Sequence, residues 1–181
     1  MDFNFTAEQE MLRDSVARYF GDHYAFPQRQ AAIRSKGGWR PGFWRGLADD
    51  VGVLGAPFSE ALGGLGGGAV ENMIVMEEIG KALVTEPYLD TVVIGGGLLR
   101  RCGTARAREL IGGIIAGEVR LAFAHLEPWS RFDLANVTTS AVRDGSTWRI
   151  SGLKDAGRGA PFVTHVLVNA RVSGTGGERA G

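Results

Sequence analysis

The chain has 181 residues, of which 44% are hydrophobic, enough for a real core and for one or two domains. Lys+Arg and Asp+Glu both number 20, so the formal charge is zero and the basic excess that non-specific nucleic-acid binding needs is missing. Cys102 is the single cysteine, which excludes an intrachain disulfide and a cysteine-built zinc site and suits a reducing cytoplasm.

Met1-Asp-Phe-Asn-Phe5 has neither a basic start nor an apolar h-region, so no secretory signal is expected. No run of about 18 apolar residues occurs, so no membrane span is expected either. Thr6-Ala-Glu-Gln9 is a capping-box pattern, with Thr6 as N-cap and Gln9 reaching back. Met11, Leu12, Ser15, Val16, Tyr19 and Phe20 then form one stripe at helical spacing, which Gly21 is expected to stop. Pro41 starts a second predicted helix, with Phe43, Trp44, Leu47, Ala48 and Val51 on its buried side.

A third predicted helix follows a glycine run. Its pattern turns Val70, Met73, Ile74, Ile79, Ala82 and Leu83 inward, and Glu71, Asn72, Glu77, Glu78 and Lys81 outward. Residues from Leu89 to Arg101 read as helical, interrupted by Gly95-Gly-Gly97. Thr104 caps a last helix with Ala107, Leu110, Ile111, Ile114 and Ile115 on its apolar face, and Gly117 ends it.

After Gly117 the period changes to two. Val119 to His125 reads as a strand, Val137 to Arg143 and Thr147 to Ser151 as a hairpin turning at Asp144-Gly145, and Phe162 to Ala170 as a fourth strand. The expected class is α+β: an N-terminal all-α helical domain over 1–117, an incomplete antiparallel β domain over 118–172 and a flexible tail over 173–181. So few strands leave unpaired sheet edges, so the β part reads as unfinished: cut short, or completed by a partner.

Gly64-Leu-Gly-Gly-Gly-Ala69 fits the G-x-G-x-x-A wording of a dinucleotide-binding turn. That turn must follow a buried strand inside a βαβ unit. Val51-Gly-Val-Leu54 followed by Pro57 makes a poor strand, and no apolar strand follows the helix. The glycines are therefore read as a bend into the third helix, where they tolerate positive φ.

No H-E-x-x-H, G-x-S-x-G or P-loop is present. His23, His125 and His165 are far apart in the chain, and no metal site is assigned. The informative stretch is Ala122-Phe-Ala-His-Leu-Glu-Pro-Trp-Ser-Arg-Phe-Asp133. It leaves a strand, turns at Glu127-Pro128, and exposes Trp129, Arg131 and Phe132. A flat aromatic cofactor needs apolar contacts and backbone donors at strand ends, and an arginine can meet a phosphate.

In order, the chain carries Phe3-x-x-Thr6-x-Glu8-Gln9, Gly52-x-Leu54-Gly-x-Pro57, Glu60-x-x-Gly63-Gly64-x-Gly66, Met76-Glu-Glu-Ile-Gly80, Gly117-Glu118, Phe123-Ala-x-x-Glu127-Pro128, Asp133, Gly152-x-Lys154 and Ala170-Arg171. This series, spread over residues 3–172, resembles acyl-CoA dehydrogenases. The resemblance implies a helical N-terminal domain, a middle β domain and a C-terminal helical domain, of which this chain holds the first and the start of the second.

The resemblance further implies FAD as cofactor and an acyl-CoA thioester as substrate. In the family a base, usually a glutamate in the C-terminal domain, takes the α-proton while flavin N5 accepts the β-hydride. No residue here matches that base, so no catalytic residue is assigned, and the chain alone is expected to be inactive. By position, Phe123, His125 and Leu126, together with Ala156, Gly157 and Arg158, are the expected flavin contacts, and Arg131 and Phe132 the expected substrate contacts.

Three departures stand out. Leu126 replaces the threonine whose hydroxyl meets the flavin pyrimidine end; Arg131-Phe132 replaces Gly-Ser; Ala156-Gly157-Arg158 replaces Trp-Ile-Thr. Glu127-Pro-x-x-Arg131-Phe132-Asp133 resembles members acting on steroid or other bulky CoA esters, some of which form mixed assemblies. A second acyl-CoA dehydrogenase subunit is therefore an expected partner, and a non-catalytic partner role is the alternative reading.

Overall fold

Thr6 begins the first helix with both bonds of a capping box: the Gln9 N–H donates to Thr6 Oγ1 at 3.3 Å, and Gln9 Oε1 accepts from the Thr6 N–H at 3.0 Å. This helix, α1, spans Ala7–His23 and passes through Gly21, where no neighbouring atom crowds the backbone. The expected stop at Gly21 is thus two residues early, because a lone glycine weakens a helix without breaking it. The computed structural model describes residues 4–130, 133–155 and 162–174. They fall into two compact units, Met1–Arg120 and Leu121–Gly181.

In the first unit, α2 (Phe26–Arg34), α3 (Pro41–Asp49), α4 (Ala69–Ala82), α5 (Gly96–Cys102) and α6 (Ala105–Ile115) follow α1. The sequence reading missed α2, whose only buried residue is Ala32, because so short and polar a helix carries no apolar stripe. Pro41 stands in the first turn of α3, which buries Phe43, Trp44, Gly46 and Leu47. A wide π-helical segment, Leu89–Gly95, leads into α5. Thr104 caps α6 by accepting the Ala107 N–H at 3.1 Å. The Trp44 Nε1–H reaches the Gly117 carbonyl at 3.0 Å and ties α3 to the end of α6.

The face of α4 differs from the expectation. Ile74, Val75, Glu78 and Ile79 are buried, whereas Val70, Met73 and Leu83 are exposed. Apolar residues surround much of this helix, so its period alone does not choose a face; packing against α1 does. Glu78 is tolerated inside because Lys81 Nζ lies 2.7 Å from its Oε1.

The glycine run is the bend predicted for it. Two short 3₁₀ turns, Val53–Gly55 and Glu60–Leu62, precede it in place of a strand. Gly63 and Gly66 adopt φ of 84° and 80°, which glycine accepts without strain. Gly64 is needed for space: a Cβ there would stand 2.2 Å from the Phe58 carbonyl oxygen. The run ends at Gly68, whose N–H donates to Glu71 Oε2 at 2.6 Å, and Gln9 Nε2 donates to the other oxygen at 2.8 Å. The opening of α4 is therefore fastened to the opening of α1, and the residues of a nucleotide-like motif are spent on helix packing.

Among its described residues the second unit has four strands: β1 (Leu121–Ala124), β2 (Ser140–Asp144), β3 (Thr147–Ser151) and β4 (His165–Val168). β2 and β3 form the expected antiparallel hairpin, with Ala141 opposite Ile150 and Gly145 at φ 61° in the turn. β1 and β4 pair in parallel, Leu121 opposite His165 and Ala124 opposite Val168, so the β part is mixed where the sequence reading expected antiparallel strands throughout. The long excursion through the hairpin lets the chain return in the direction of β1. A bridge from Ser140 to Arg171 connects the returning chain to β2, with the Ala141 N–H donating to Arg171 O and the Arg171 N–H to Thr139 O, each at 2.8 Å.

Candidate functional site

β1 buries Leu121 and Ala122 and ends in the half-buried Phe123 and Ala124. Beyond it His125 folds back: its Nδ1 lies 3.3 Å from the Phe123 carbonyl oxygen, and its ring stacks on the Phe123 ring at 4.8 Å between centroids and 17° between planes. The two rings are separated by two positions, so the alternation of a strand puts them on one side. Leu126 follows, and its carbonyl accepts the Asp155 N–H at 2.8 Å. A flat, half-exposed aromatic surface thus stands beside backbone groups at a strand end, the combination a planar heteroaromatic ligand needs.

Next in the chain is Glu127, which is 5% exposed. Its Oε1 accepts the Thr139 N–H at 2.9 Å and Lys154 Nζ at 2.7 Å. Its Oε2 accepts the Thr138 N–H at 2.8 Å and also the Thr138 hydroxyl. Lys154 Nζ donates a second bond, to Asn169 Oδ1 at 2.6 Å. Burial works against ionisation of Glu127, but the Lys154 ammonium and the Thr138 and Thr139 donors outweigh it and hold the carboxyl far below the usual carboxylate range.

Ser130 shapes the turn after Glu127. Its hydroxyl accepts the Glu127 N–H and donates to the Glu127 carbonyl, both at 3.0 Å. Trp129, on that turn, is 87% exposed, as the loop reading expected. Arg171 braces the following segment from the other side, donating from Nε to Val137 O and from Nη2 to Ala135 O, each at 3.1 Å. A Cβ at Gly152 would lie 2.5 Å from the buried hydroxyl of Thr139, so Gly152 is there for closeness.

Of the expected contact residues, the structure brings Phe123, His125 and Leu126 together at the β1 exit. Ala156, Gly157, Arg158, Arg131 and Phe132 lie outside the described residues. Sequence reasoning quoted Glu127 and Lys154 as motif fragments and gave neither a role. Their separation of 27 positions hid the pairing, although an acid beside Pro128 and a lysine behind Gly152 in a half-buried β region were the available signals. Asn169 carried no signal at all. Among the described residues no cluster of three or more His, Cys, Asp or Glu side chains stands ready for a metal. No helix there is long and apolar enough to cross a membrane.

The profile of the acyl-CoA dehydrogenase N-terminal domain matches residues 6–118. The chain is 28% identical to the acyl-CoA dehydrogenase FadE29 of Mycobacterium tuberculosis over 174 residues, which cover 94% of this chain and 44% of that protein. It is 37% identical to the acyl-CoA dehydrogenase IpdE2 of Mycolicibacterium smegmatis over 112 residues, covering 62% of this chain and 36% of that one. The solved Tcur3481-Tcur3483 steroid ACAD superposes with a TM-score of 0.79 at 29% identity, over 96% of this chain and 45% of its own. The ChsE4-ChsE5 complex of Mycobacterium tuberculosis gives a TM-score of 0.82 at 25% identity, over 95% of this chain and 46% of its own. The chain therefore spans less than half the length of these relatives. By its sequence and its fold alike, it belongs to the acyl-CoA dehydrogenase family.

Proposed function

We propose that this chain is a portion of an FAD-dependent acyl-CoA dehydrogenase that desaturates a bulky, steroid-type acyl-CoA thioester. The observation that carries the reading is the β1 exit, where Phe123, His125 and the Leu126 backbone present a flat surface at the position that the family resemblance gives to the flavin. These groups fit an isoalloxazine ring in shape and polarity, and would hold it by stacking and by strand-end amides. Leu126 withholds the hydroxyl that the common family strand supplies, so binding there leans on backbone donors. When bound, the flavin supplies the hydride acceptor. The residues of this chain bind and orient it, while the proton-abstracting base comes from outside residues 1–181.

A second reading has its own support: the Tcur3481-Tcur3483 and ChsE4-ChsE5 structures are both named as pairs of proteins. In that reading the chain is the non-catalytic partner of a second acyl-CoA dehydrogenase subunit. Anaerobic mixing of the purified chain with FAD and an acyl-CoA, followed through the visible flavin band, tests the first reading. No bleaching is expected from the chain alone, and bleaching is expected when an acyl-CoA dehydrogenase C-terminal domain that carries the base is fused to it. Robust bleaching by residues 1–181 alone sinks the proposal. Co-purification with a second dehydrogenase subunit, with no flavin bound to this chain, favours the partner role.

A further inference from the structure

Lys154 joins the carboxyl ends of both strands of the parallel pair. Its ammonium donates to Glu127, three residues past β1, at 2.7 Å, and to Asn169, the residue after β4, at 2.6 Å. The next residue, Asp155, donates its N–H to Leu126 at 2.8 Å. Gly152–Asp155 belongs to no strand, and these bonds help to hold it beside the β1 exit.

From this geometry we infer that Lys154, with Glu127, is a positioning residue for the flavin site, fixing the β1 exit at Phe123–Leu126 through its own ion pair and the bond from Asp155 to Leu126. The inference rests on the flavin reading above, since by resemblance the β1 exit faces that cofactor. Stability alone does not require such a pair. Buried ion pairs contribute little more than well-packed apolar groups of the same volume, whereas their directed donors fix geometry. An ammonium has three donors on one point, so one side chain here meets acceptors from two strand ends at once. The backbone contact between Asp155 and Leu126 is the part that a planar ligand would read, because it fixes the Leu126 backbone at the β1 exit.

The test uses the 181-residue chain with added FAD, reading flavin fluorescence anisotropy for affinity and amide hydrogen exchange for geometry. In Lys154→Met, protection at Asp155 is expected to fall further than the general loss that the β1–β4 and β2–β3 ladder amides share. FAD affinity is expected to fall about tenfold, the equivalent of one charge-assisted hydrogen bond. If Lys154→Met unfolds the β unit, Asn169→Ala gives the answer, since it removes one of the two acceptors and leaves the ion pair. It is expected to weaken FAD binding severalfold with ladder protection intact, and Asn169→Asp to restore it. Unchanged FAD affinity in whichever of Lys154→Met and Asn169→Ala stays folded overturns the positioning role. Absence of FAD binding by the unaltered chain overturns instead the flavin reading beneath it.

Discussion

Lys154 Nζ stands 2.7 Å from Glu127 Oε1 with their side chains 11% and 3% exposed, an ion pair closed off from water inside the smaller unit. Removing one member leaves the other buried and unpaired. Lys154→Ala is therefore expected to destabilise the β unit by about 3–5 kcal/mol. Arg149→Ala, which opens an exposed pair with Asp144, is expected to change stability by about 0–1 kcal/mol. Urea unfolding followed at the β-strand amides measures both, and equal effects would contradict the burial argument.

The same pair sets an acid limit. The folded state holds the Glu127 carboxyl below its unfolded value of about 4.3. The unfolded chain then binds the proton more readily, so this contribution to stability is complete above about pH 4.3 and is lost as pH falls towards the lower folded value. The β unit of Glu127→Gln should show a flatter stability profile in that acid range. Denaturation midpoints collected as a pH series decide it.

Glu86, in the helical unit, carries the opposite sign. It is 5% exposed; its Oε1 accepts the Arg40 N–H at 3.0 Å, and among the described residues its Oε2 is buried with no partner within hydrogen-bond distance. Burial raises its carboxyl above the usual range. The fold therefore holds that proton more tightly than the unfolded chain does, so its contribution is full below about pH 4.3 and declines as pH rises through the raised folded value. Glu86→Gln is expected to remove that decline and to make the helical unit more stable than the unaltered one at neutral pH. A helical far-UV signal melting at a lower temperature in Glu86→Gln at pH 7 would contradict this.

Gly64 and Gly97 make a paired test of the glycine argument. A Cβ at Gly64 would press on the Phe58 and Gly55 carbonyl oxygens at 2.2 and 2.7 Å, whereas one at Gly97 in α5 meets nothing within 4 Å. Gly64→Ala is expected to destabilise the helical unit by about 1–3 kcal/mol, as overpacking does. Gly97→Ala should stabilise it by up to about 1 kcal/mol through helix propensity. Thermal melts of the two variants should move in opposite directions.

Local rules decided much of this chain from sequence. The Thr6 and Thr104 caps, Pro41 in the first turn of α3, the bend at Gly63–Gly68 and the hairpin turning through Gly145 all depend on atoms within a few residues of one another, so a single sequence carries them. The family, too, was readable, because its signature is an ordered series of short motifs. The tertiary structure alone decided the rest. It chose the buried face of α4, since apolar residues surround that helix and packing against α1 selects among them. It paired β1 with β4 in parallel across a long excursion of chain. It also brought Glu127, Lys154 and Asn169 to one point from three separate segments. A buried charge is stable only where distant donors meet it, and periodicity along a chain records which residues avoid water, not which of them meet.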